Sequence, residues 1–224
     1  MGNISMYAYG KDYHTIVEAL LMEIAEFIHT KYPEAKTSIH VDKGEGNDKM
    51  AAYDAGLGFI GKNSLLINEQ YGSYVFIGYL ETDLVLPPDS PVETACLACG
   101  KCEQSCPGGA IENGKITVEK CASHLSQKRG ELSDDEREII KKSGLIWGCD
   151  VCQSVCPHNQ ALPLSPIATF HEDLIFNLGP MNMTNKAFYD LYENRAFSWR
   201  GKAVLNRNLE ILSRHKNRNE GHSN

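Results

Sequence analysis

The chain lacks any apolar run that approaches the roughly 18 residues needed to cross a bilayer. Its first residues, 1–6, also lack the basic-then-apolar pattern of a secretory signal. Because nothing marks the chain for export, we expect a cytoplasmic protein with no membrane partner. The composition agrees, since 42% apolar and 23% charged residues are ordinary for a soluble globular protein of 224 residues.

Positive charge is in deficit, with 22 Lys and Arg against 29 Asp and Glu and a net charge of −7. The deficit disfavours non-specific nucleic-acid binding by the surface as a whole. The segment 195–218 is the exception, because Glu210 is its single acid. A solvated helix face and a phosphate-binding surface both fit this segment. Its basic residues are Arg195, Arg200, Lys202, Arg207, Arg214, Lys216 and Arg218.

Local patterns predict an α+β chain in three parts. An α/β layer over 1–88 has no cysteine, a part over 89–165 holds all of them, and 166–224 is a helical segment with a basic tail. Pro87, Pro88 and Pro91 mark the first boundary. The predicted helices cover 14–31, 48–55, 133–142, 184–193 and 201–213, and the predicted strands cover 37–42 and a hairpin of 64–68 with 73–80.

Eight cysteines are present, and a reducing cytosol favours metal or redox use over disulfides. The run Cys96, Cys99, Cys102, Cys106, Pro107 is the C-x2-C-x2-C-x3-C-P pattern of bacterial ferredoxins. In that pattern three thiolates hold one cluster and the fourth reaches the other. A second half-motif lacks its first cysteine locally, and Cys121 remains to supply it. That half-motif is Cys149, Cys152, Cys156 and Pro157.

This arithmetic predicts two [4Fe–4S] clusters. The first thiol set is Cys96, Cys99, Cys102 and Cys156, and the second thiol set is Cys106, Cys121, Cys149 and Cys152. A pair of zinc ions is the alternative, although zinc prefers paired C-x2-C knuckles. Two adjacent clusters favour a relay of single electrons, and a structural role is the plainer interpretation.

Two further patterns lie in the N-terminal layer. Gly56, Gly58 and Gly61 fit G-x-G-x-x-G, but they follow a predicted helix and precede a predicted strand, the reverse of a dinucleotide site. We interpret them as a tight turn or a close approach to a flat ligand. Asp42 ends a strand beside a glycine-containing loop, where an acid or base is often found, although many such aspartates cap the next helix. Tyr13, His14, Lys62 and Asn63 are interpreted as structural on their own.

Taken in order, the motifs resemble the epoxyqueuosine reductase family over about residues 4–213. The resemblance lies in Met6-Tyr-Ala-Tyr-Gly-Lys-Asp-Tyr-His14, Val41-Asp42, Ala55-Gly-Leu-Gly-Phe-Ile-Gly-Lys-Asn63, the ferredoxin run, and Trp147-Gly-Cys-Asp-Val-Cys-Gln-Ser-Val-Cys-Pro-His-Asn159. It implies a reductase that converts an epoxide on the modified wobble base of tRNA to an alkene, with electrons relayed through both clusters to cobalamin.

The resemblance also implies site residues. Cobalamin would lie in a truncated nitroreductase-like layer near the first thiol set, and Asp42 would be a buried proton donor with a raised pKa. The expected cobalamin contacts are Ser5, Asp42, Lys62, Asn63 and Ser123. The expected partners are an unidentified electron donor and tRNA, the latter through Lys49, Gln127, Lys128 and the segment 195–218.

Family members usually have a segment before the Tyr-Gly-Lys-Asp-Tyr-His stretch, and longer members end in helical repeats. Against that pattern the chain has a short N-terminus and no HEAT-like repeats, so we expect a truncated product or a corrinoid pocket open on one side. Two other functions remain open. One is a non-catalytic ferredoxin-type electron carrier, and the other is a corrinoid reductase that acts on a small substrate.

Overall fold

The computed structural model describes residues 2–43 and 46–220, without the side chains of 214–220. Within those residues it contains eight α-helices and three two-stranded antiparallel sheets. The helices are α1 (Tyr13–Lys31), α2 (Asp48–Asp54), α3 (Lys101–Ser105), α4 (Ala122–Gln127), α5 (Asp134–Ser143), α6 (Val151–Ser154), α7 (Asn185–Tyr192) and α8 (Lys202–Glu220). The strands are β1 (Thr37–His40), β2 (Phe59–Ile60), β3 (Leu66–Ile67), β4 (Tyr79–Thr82), β5 (Ile111–Glu112) and β6 (Lys115–Ile116).

Local signals set the ends of the main helices, and the predicted α+β character is confirmed. The carboxylate of Asp12 accepts a hydrogen bond from the backbone N–H of His14 at 3.0 Å and caps α1. At the start of α5, Ser133 and Glu136 form a reciprocal capping box, and Gly144 ends the helix with φ +69°. None of the described helices is both long and apolar enough to cross a membrane.

The predicted hairpin of 64–68 with 73–80 is wrong. β3 pairs with β2, and β4 pairs with β1 so that His40 lies opposite Tyr79. The turn between them does close, through a bridge of Asn68 with Gly72. Beyond it the backbone N–H of Ser73 donates to the side chain of Asn159 at 2.8 Å, so this segment binds the cysteine-rich part instead of β3.

The largest core joins all three predicted segments. Ile4 pairs with Trp147 as a parallel bridge, and both side chains are fully buried. Residues 3–5 around this bridge form the N-terminal strand. Asn3 fixes its other side, because its side-chain amide donates to the carbonyl of Leu178 and its side-chain oxygen accepts from the backbone N–H of Leu178. The core therefore depends on chain ends that are far apart in sequence. Its fully buried large members are Ile4, Ile146, Trp147, Phe188, Phe197 and Leu205.

Helix α8 is fastened to the cysteine-rich part by buried polar contacts. The amide of Asn208, which has no exposed surface, donates to the carbonyls of Ser126 and Ile146 at 2.8 and 2.7 Å. The Arg207 guanidinium donates to the carbonyls of Lys128 and Gly130, both at 2.6 Å. The bonds to Ser126 and Lys128 satisfy carbonyls that would otherwise be left unpaired at the end of α4.

Candidate iron–sulfur and cofactor site

The structure brings the second thiol set together. The pKa of Cys149 is raised to about 11, chiefly by burial, and the charges of Cys121 and Cys106 contribute to this shift. Burial likewise raises the pKa of Cys152 to about 12, followed by the charges of Cys149, Cys121 and Cys106. The four thiols that sequence spacing assigns to one cluster are therefore electrostatic neighbours.

The first thiol set lines one pocket, and Cys99 is its exposed member. Burial raises the pKa of Cys156, and the charges of Cys96 and Cys99 add to this effect. The pKa of Cys102 is raised by burial first and also by Cys96, while backbone N–H groups lower it. The two sets are close to each other, because the charge of Cys102 in the first set also raises the pKa of Cys152 in the second.

The donor chemistry fits a thiolate-bound metal group at each set. The raised pKa values of Cys102, Cys149, Cys152 and Cys156 favour the protonated thiol in the cluster-free chain, and iron binding would displace those protons. Among the described residues, no three Cys, His, Asp or Glu side chains meet closely enough to hold one metal ion. In a [4Fe–4S] cluster each thiolate binds its own iron. The assignment of individual ligands stays a prediction.

Left-handed backbone shapes the cysteine loops. Ala98 and Gly100 have φ of +52° and +72° between the first three cysteines of the ferredoxin run. Gly148, with φ +68°, precedes Cys149 and packs against the N-terminal strand. A methyl group there would lie 2.4 Å from Cβ of Ser5, so only glycine fits without displacement.

Ser5, predicted as a cobalamin contact, is fastened to the second thiol set's loop. Its side chain is buried, and its hydroxyl donates to Asp150, which follows Cys149. The same carboxylate accepts from the backbone N–H of Met6 at 2.8 Å. Burial raises the pKa of Asp150, while these hydrogen bonds lower it. In this structure Ser5 therefore joins the N-terminal strand to the cluster loop.

Lys62 and Asn63 lie where the resemblance expects them, in the wall of the pocket lined by the first thiol set. The ammonium of Lys62 is 3.4 Å from the carboxylate of Glu103, which neighbours Cys102. Asn63 is 2% exposed, and its Oδ1 accepts from the backbone N–H of Leu65 at 3.3 Å. Its Nδ2 is buried with no hydrogen-bond partner among the described residues. An unpaired amide in a pocket wall fits a site for a polar ligand group.

A broad groove opens on the other side of Cys96. It measures about 910 Å³ including its open mouth, and aromatic and aliphatic side chains form its floor. This groove provides apolar surface of the kind that a corrinoid ring requires, and the unpaired amide of Asn63 lies in the neighbouring pocket, with which the groove shares Cys96. The residues present therefore fit cobalamin beside the first thiol set. The lining side chains include Met50, Tyr53, Phe59 and Ile60.

Asp42 lies at the end of β1, but it is not buried as predicted, because 51% of its side chain is exposed. Its φ of +53° turns the chain at the strand end. The Tyr13 hydroxyl donates to Asp42 Oδ2, and Nε2 of His14 lies 3.5 Å from the same oxygen. Nδ1 of His14 in turn lies 2.7 Å from Asp12. Burial raises the pKa of Tyr13, and the bond to Asp42 adds to the shift, so Tyr13 remains a donor.

The residues expected to contact tRNA make contacts within the chain. Lys49 donates to the carbonyl of Ser64 at 2.7 Å, Gln127 donates to the carbonyl of Ser123 at 3.3 Å, and Lys128 pairs with Glu136 at 2.6 Å. Ser123, an expected cobalamin contact, is half-buried in α4 and supplies its carbonyl to this bond.

Part of the basic segment 195–218 is structural. Arg195 is buried and donates to the carbonyl of Tyr9 at 3.2 Å, and Lys202 donates to the carbonyl of Met183. The guanidinium of Arg200 stacks 3.6 Å above the ring of the exposed Trp199. The side chains of Arg214, Lys216 and Arg218 lie outside the described residues.

Sequence patterns did not single out Tyr74, and they marked His158 only as a departure from the tryptophan that the family commonly has between Pro157 and Asn159. Burial raises the pKa of Tyr74 to about 12, and the charges of Asp150, Cys152 and Cys156 contribute, so this ring lies beside both thiol sets. His158 lines the pocket of the first thiol set. Its position two residues after Cys156 was the available signal.

Two family models match the chain. One, described as a 4Fe-4S double cluster binding domain, covers residues 95–159, and another, described as epoxyqueuosine reductase QueG, DUF1730, covers residues 1–43. The first match contains all eight cysteines. It confirms the prediction of two iron–sulfur clusters in preference to a pair of zinc ions.

Known proteins with the same organisation are longer. The epoxyqueuosine reductase of Lactococcus garvieae is 36% identical over 217 residues, which cover 93% of this chain and 60% of that protein. A crystal structure of epoxyqueuosine reductase with a tRNA-Tyr epoxyqueuosine-modified stem loop has a TM-score of 0.87 at 32% identity, covering 96% of this chain and 58% of that one. The Streptococcus thermophilus enzyme has a TM-score of 0.84 at 34% identity, covering 94% and 57%. The chain spans three fifths or less of the length of these relatives.

Proposed function

The chain belongs to the epoxyqueuosine reductase family, and from this premise we propose that it reduces epoxyqueuosine to queuosine in tRNA. The net reaction consumes two electrons and two protons, converts an epoxide to an alkene and releases water. The observation that carries the proposal is the pocket in which the first thiol set meets Lys62 and the unpaired amide of Asn63. This pocket combines a redox centre with polar groups for an organic ligand.

Two [4Fe–4S] clusters and cobalamin are the proposed cofactors. The first and second thiol sets would hold the clusters, and Ser5, Asp42, Lys62, Asn63 and Ser123 belong to the layer that would hold cobalamin. We assign residues 1–88 to part of a nitroreductase-like cobalamin-binding layer, 89–165 to the ferredoxin-like domain and 166–224 to the helical segment. When bound, cobalamin supplies a strongly reducing cobalt centre that accepts electrons one at a time through the clusters.

Asp42 is the proposed proton donor for the opened epoxide oxygen. Its exposed carboxyl is reachable by a bound substrate, and the Tyr13 hydroxyl fixes its orientation. His14 lies beside the same oxygen and is itself held by Asp12, so it can return a proton to Asp42 after turnover. The pair resembles other sites where a carboxylate orients an imidazole.

The proposed partner is tRNA, because a structure of similar fold holds a tRNA-Tyr stem loop. Lys49, Gln127, Lys128 and the segment 195–218 remain the proposed contacts. Lys49 and Lys128 would exchange their present intramolecular acceptors for phosphate oxygens, which gives binding that weakens as salt rises. We place the reaction in the cytoplasm with an unidentified one-electron donor.

Substitution of Asp42 by Asn tests the catalytic proposal. General acid catalysis contributes about 100- to 10,000-fold, so we expect Asp42→Asn to lose at least about 100-fold in turnover. The assay converts an epoxyqueuosine-containing stem loop under anaerobic single-turnover conditions, with the product measured by mass spectrometry. Asp54→Asn, an exposed acid at the end of α2, is the matched control. Turnover by Asp42→Asn at the parent rate would remove Asp42 from the mechanism.

Cofactor and RNA binding separate the alternatives. The chain is reconstituted anaerobically, iron and cobalt are counted after gel filtration, and stem-loop affinity is measured at several salt concentrations. Retained cobalamin with salt-sensitive RNA binding supports the proposal. Loaded clusters without retained cobalamin indicate the electron carrier, and cobalamin without RNA binding indicates a corrinoid reductase of a small substrate.

A further inference from the structure

His158 sits on a turn that is fixed from both sides. The 3-10 turn Pro157–Asn159 follows Cys156 directly, and the backbone N–H of His158 donates to the sulfur of Cys156. Asn159 closes the turn, since its side chain accepts from Ser73 N–H and donates to the carbonyl of Gln153, both at 2.8 Å. The position of the His158 ring is therefore set by backbone that also positions a thiolate.

The ring of His158 is enclosed but incompletely bonded. It packs edge-on against Phe59, with 5.0 Å between ring centroids, and Phe59 itself is buried. Its Nε2 atom is buried and has no hydrogen-bond partner among the described residues. A buried polar atom without a partner costs free energy, so such an atom in a native fold usually faces a ligand or water.

The pocket wall limits what that partner can be. His158 shares the wall with all four members of the first thiol set, and the nearby Leu97, Ile67 and Pro157 side chains offer no acceptor. The acceptors among the wall's side chains are the four sulfurs and Oδ1 of Asn63, and because that oxygen already accepts from the backbone N–H of Leu65, sulfur is the side-chain acceptor left for His158. A neutral imidazole carries one N–H, and a sulfur partner requires that it be on Nε2.

We propose that the Nε2–H of His158 donates a hydrogen bond to a sulfur of the cluster held by the first thiol set, and thereby raises that cluster's reduction potential. An N–H dipole aimed at sulfur stabilises the added electron, and hydrogen bonds to sulfur are an established determinant of cluster potential. His158 is thus a positioning residue that favours electron transfer from the second set's cluster to the first. The inference rests on the proposed cluster ligands, not on cobalamin or tRNA.

A direct test detects the hydrogen bond by spectroscopy. The full chain is produced with histidine labelled with 15N in the ring only, loaded with clusters anaerobically and reduced. Hyperfine spectroscopy of the paramagnetic reduced cluster then detects any coupled ring nitrogen. We expect a ring 15N coupling on one cluster and its loss in His158→Gln, whose side chain carries no labelled nitrogen. A parent spectrum without ring coupling overturns the proposal.

Redox titration supplies the functional readout. His158→Phe should shift the midpoint potential of one cluster to a more negative value and leave the other unchanged. His158→Gln retains an N–H donor and should restore most of the shift. His124→Phe, an exposed histidine of α4 in the same domain, is the matched control and should shift neither cluster.

Iron counting keeps this result separate from the proposed function. If the parent chain binds no iron, the cluster assignment itself fails. If it binds both clusters and His158→Phe titrates as the parent does, only the role of His158 is excluded. Should His158→Phe fail to load, the ring-15N coupling in the parent and its loss in His158→Gln decide the question.

Discussion

Both thiol sets take cysteines from the same two sequence motifs, but the two sets lie in different surroundings. The second set is braced, because the N-terminal strand closes over it through Ser5 and Asp150, and α8 reaches its loop through Asn208. The first set is open, with Cys99 exposed and unpaired polar atoms of Asn63 and His158 in its pocket wall. Most polar groups around the second set are hydrogen-bonded, with Nε1 of Trp147 as a buried atom without a partner among the described residues, whereas two such groups line the pocket of the first set.

This difference suggests a structural role for the second thiol set and a reactive role for the first. Groups whose hydrogen bonds are complete have no capacity left for a ligand, whereas unpaired buried donors are usual at functional sites. We therefore infer that the second set stabilises the fold and stores an electron, while the first set faces the cofactor and substrate.

Serine substitution at one thiol of each set should give unequal losses. Cys152→Ser removes a ligand in the braced region, and because metal binding energy is folding energy we expect loss of its cluster and a markedly lower thermal midpoint. Cys99→Ser, at the exposed rim, should lose the other cluster while keeping the fold. Iron per chain should fall from about eight to about four in both variants. Equal thermal midpoints would refute the assigned division.

Two glycines with the same backbone conformation test the brace itself. Gly148 and Gly144 have φ of +68° and +69°, but a methyl group meets Ser5 at 2.4 Å in the first and nothing within 4 Å in the second. Gly144→Ala should cost about 1–2 kcal/mol of unfolding free energy from the left-handed backbone alone. Gly148→Ala should cost roughly a further 1–3 kcal/mol from overpacking. Urea unfolding measures both, and equal costs would mean that the N-terminal strand does not press on the cluster loop.

Sequence spacing predicted much of the cysteine site because the ferredoxin motif is local. In that motif three cysteines with two residues between each hold one cluster, so the pattern predicts that Cys106 and Cys156 cross between the clusters. The structure brings the same groups of thiols together. The boundaries of α1 and α5 were equally accessible, since Pro33 and the Ser133 capping box act within one turn of the helix.

Features that depend on distant partners were not predictable. β4 pairs with β1 across about forty residues, and the local turn near Gly72 gave a false hairpin. The sequence predicted that Arg195 and Arg207 belong to a basic surface. In the structure they donate hydrogen bonds to backbone carbonyls that lie near them only after the helices have packed. About half of the Asp42 side chain is exposed, which its sequence neighbourhood does not reveal.

The smallest expected effect concerns the ion pair of Lys128 with Glu136. This pair lies near the surface, beside the Lys128 carbonyl that accepts a hydrogen bond from Arg207. The ammonium of Lys128 and the Ser133 backbone N–H lower the pKa of Glu136 from its ordinary 4.5. The pKa of Glu136 is therefore higher in the unfolded chain than in the folded chain. The charged Glu136 contributes its full stabilisation above pH 4.5, and this contribution is lost as pH falls through the lower pKa of the folded chain.

Glu136→Gln keeps the capping box but removes the charge, so it should cost about 0.5 kcal/mol near neutral pH and nothing at low pH. Lys128→Gln should remove the same pH dependence, and the double variant should add little because both changes break one ion pair. Urea unfolding between pH 3 and pH 7 measures all three. Fully additive losses would show that Lys128 and Glu136 do not act as a pair. Their ion pair would then be no part of the support around the second thiol set.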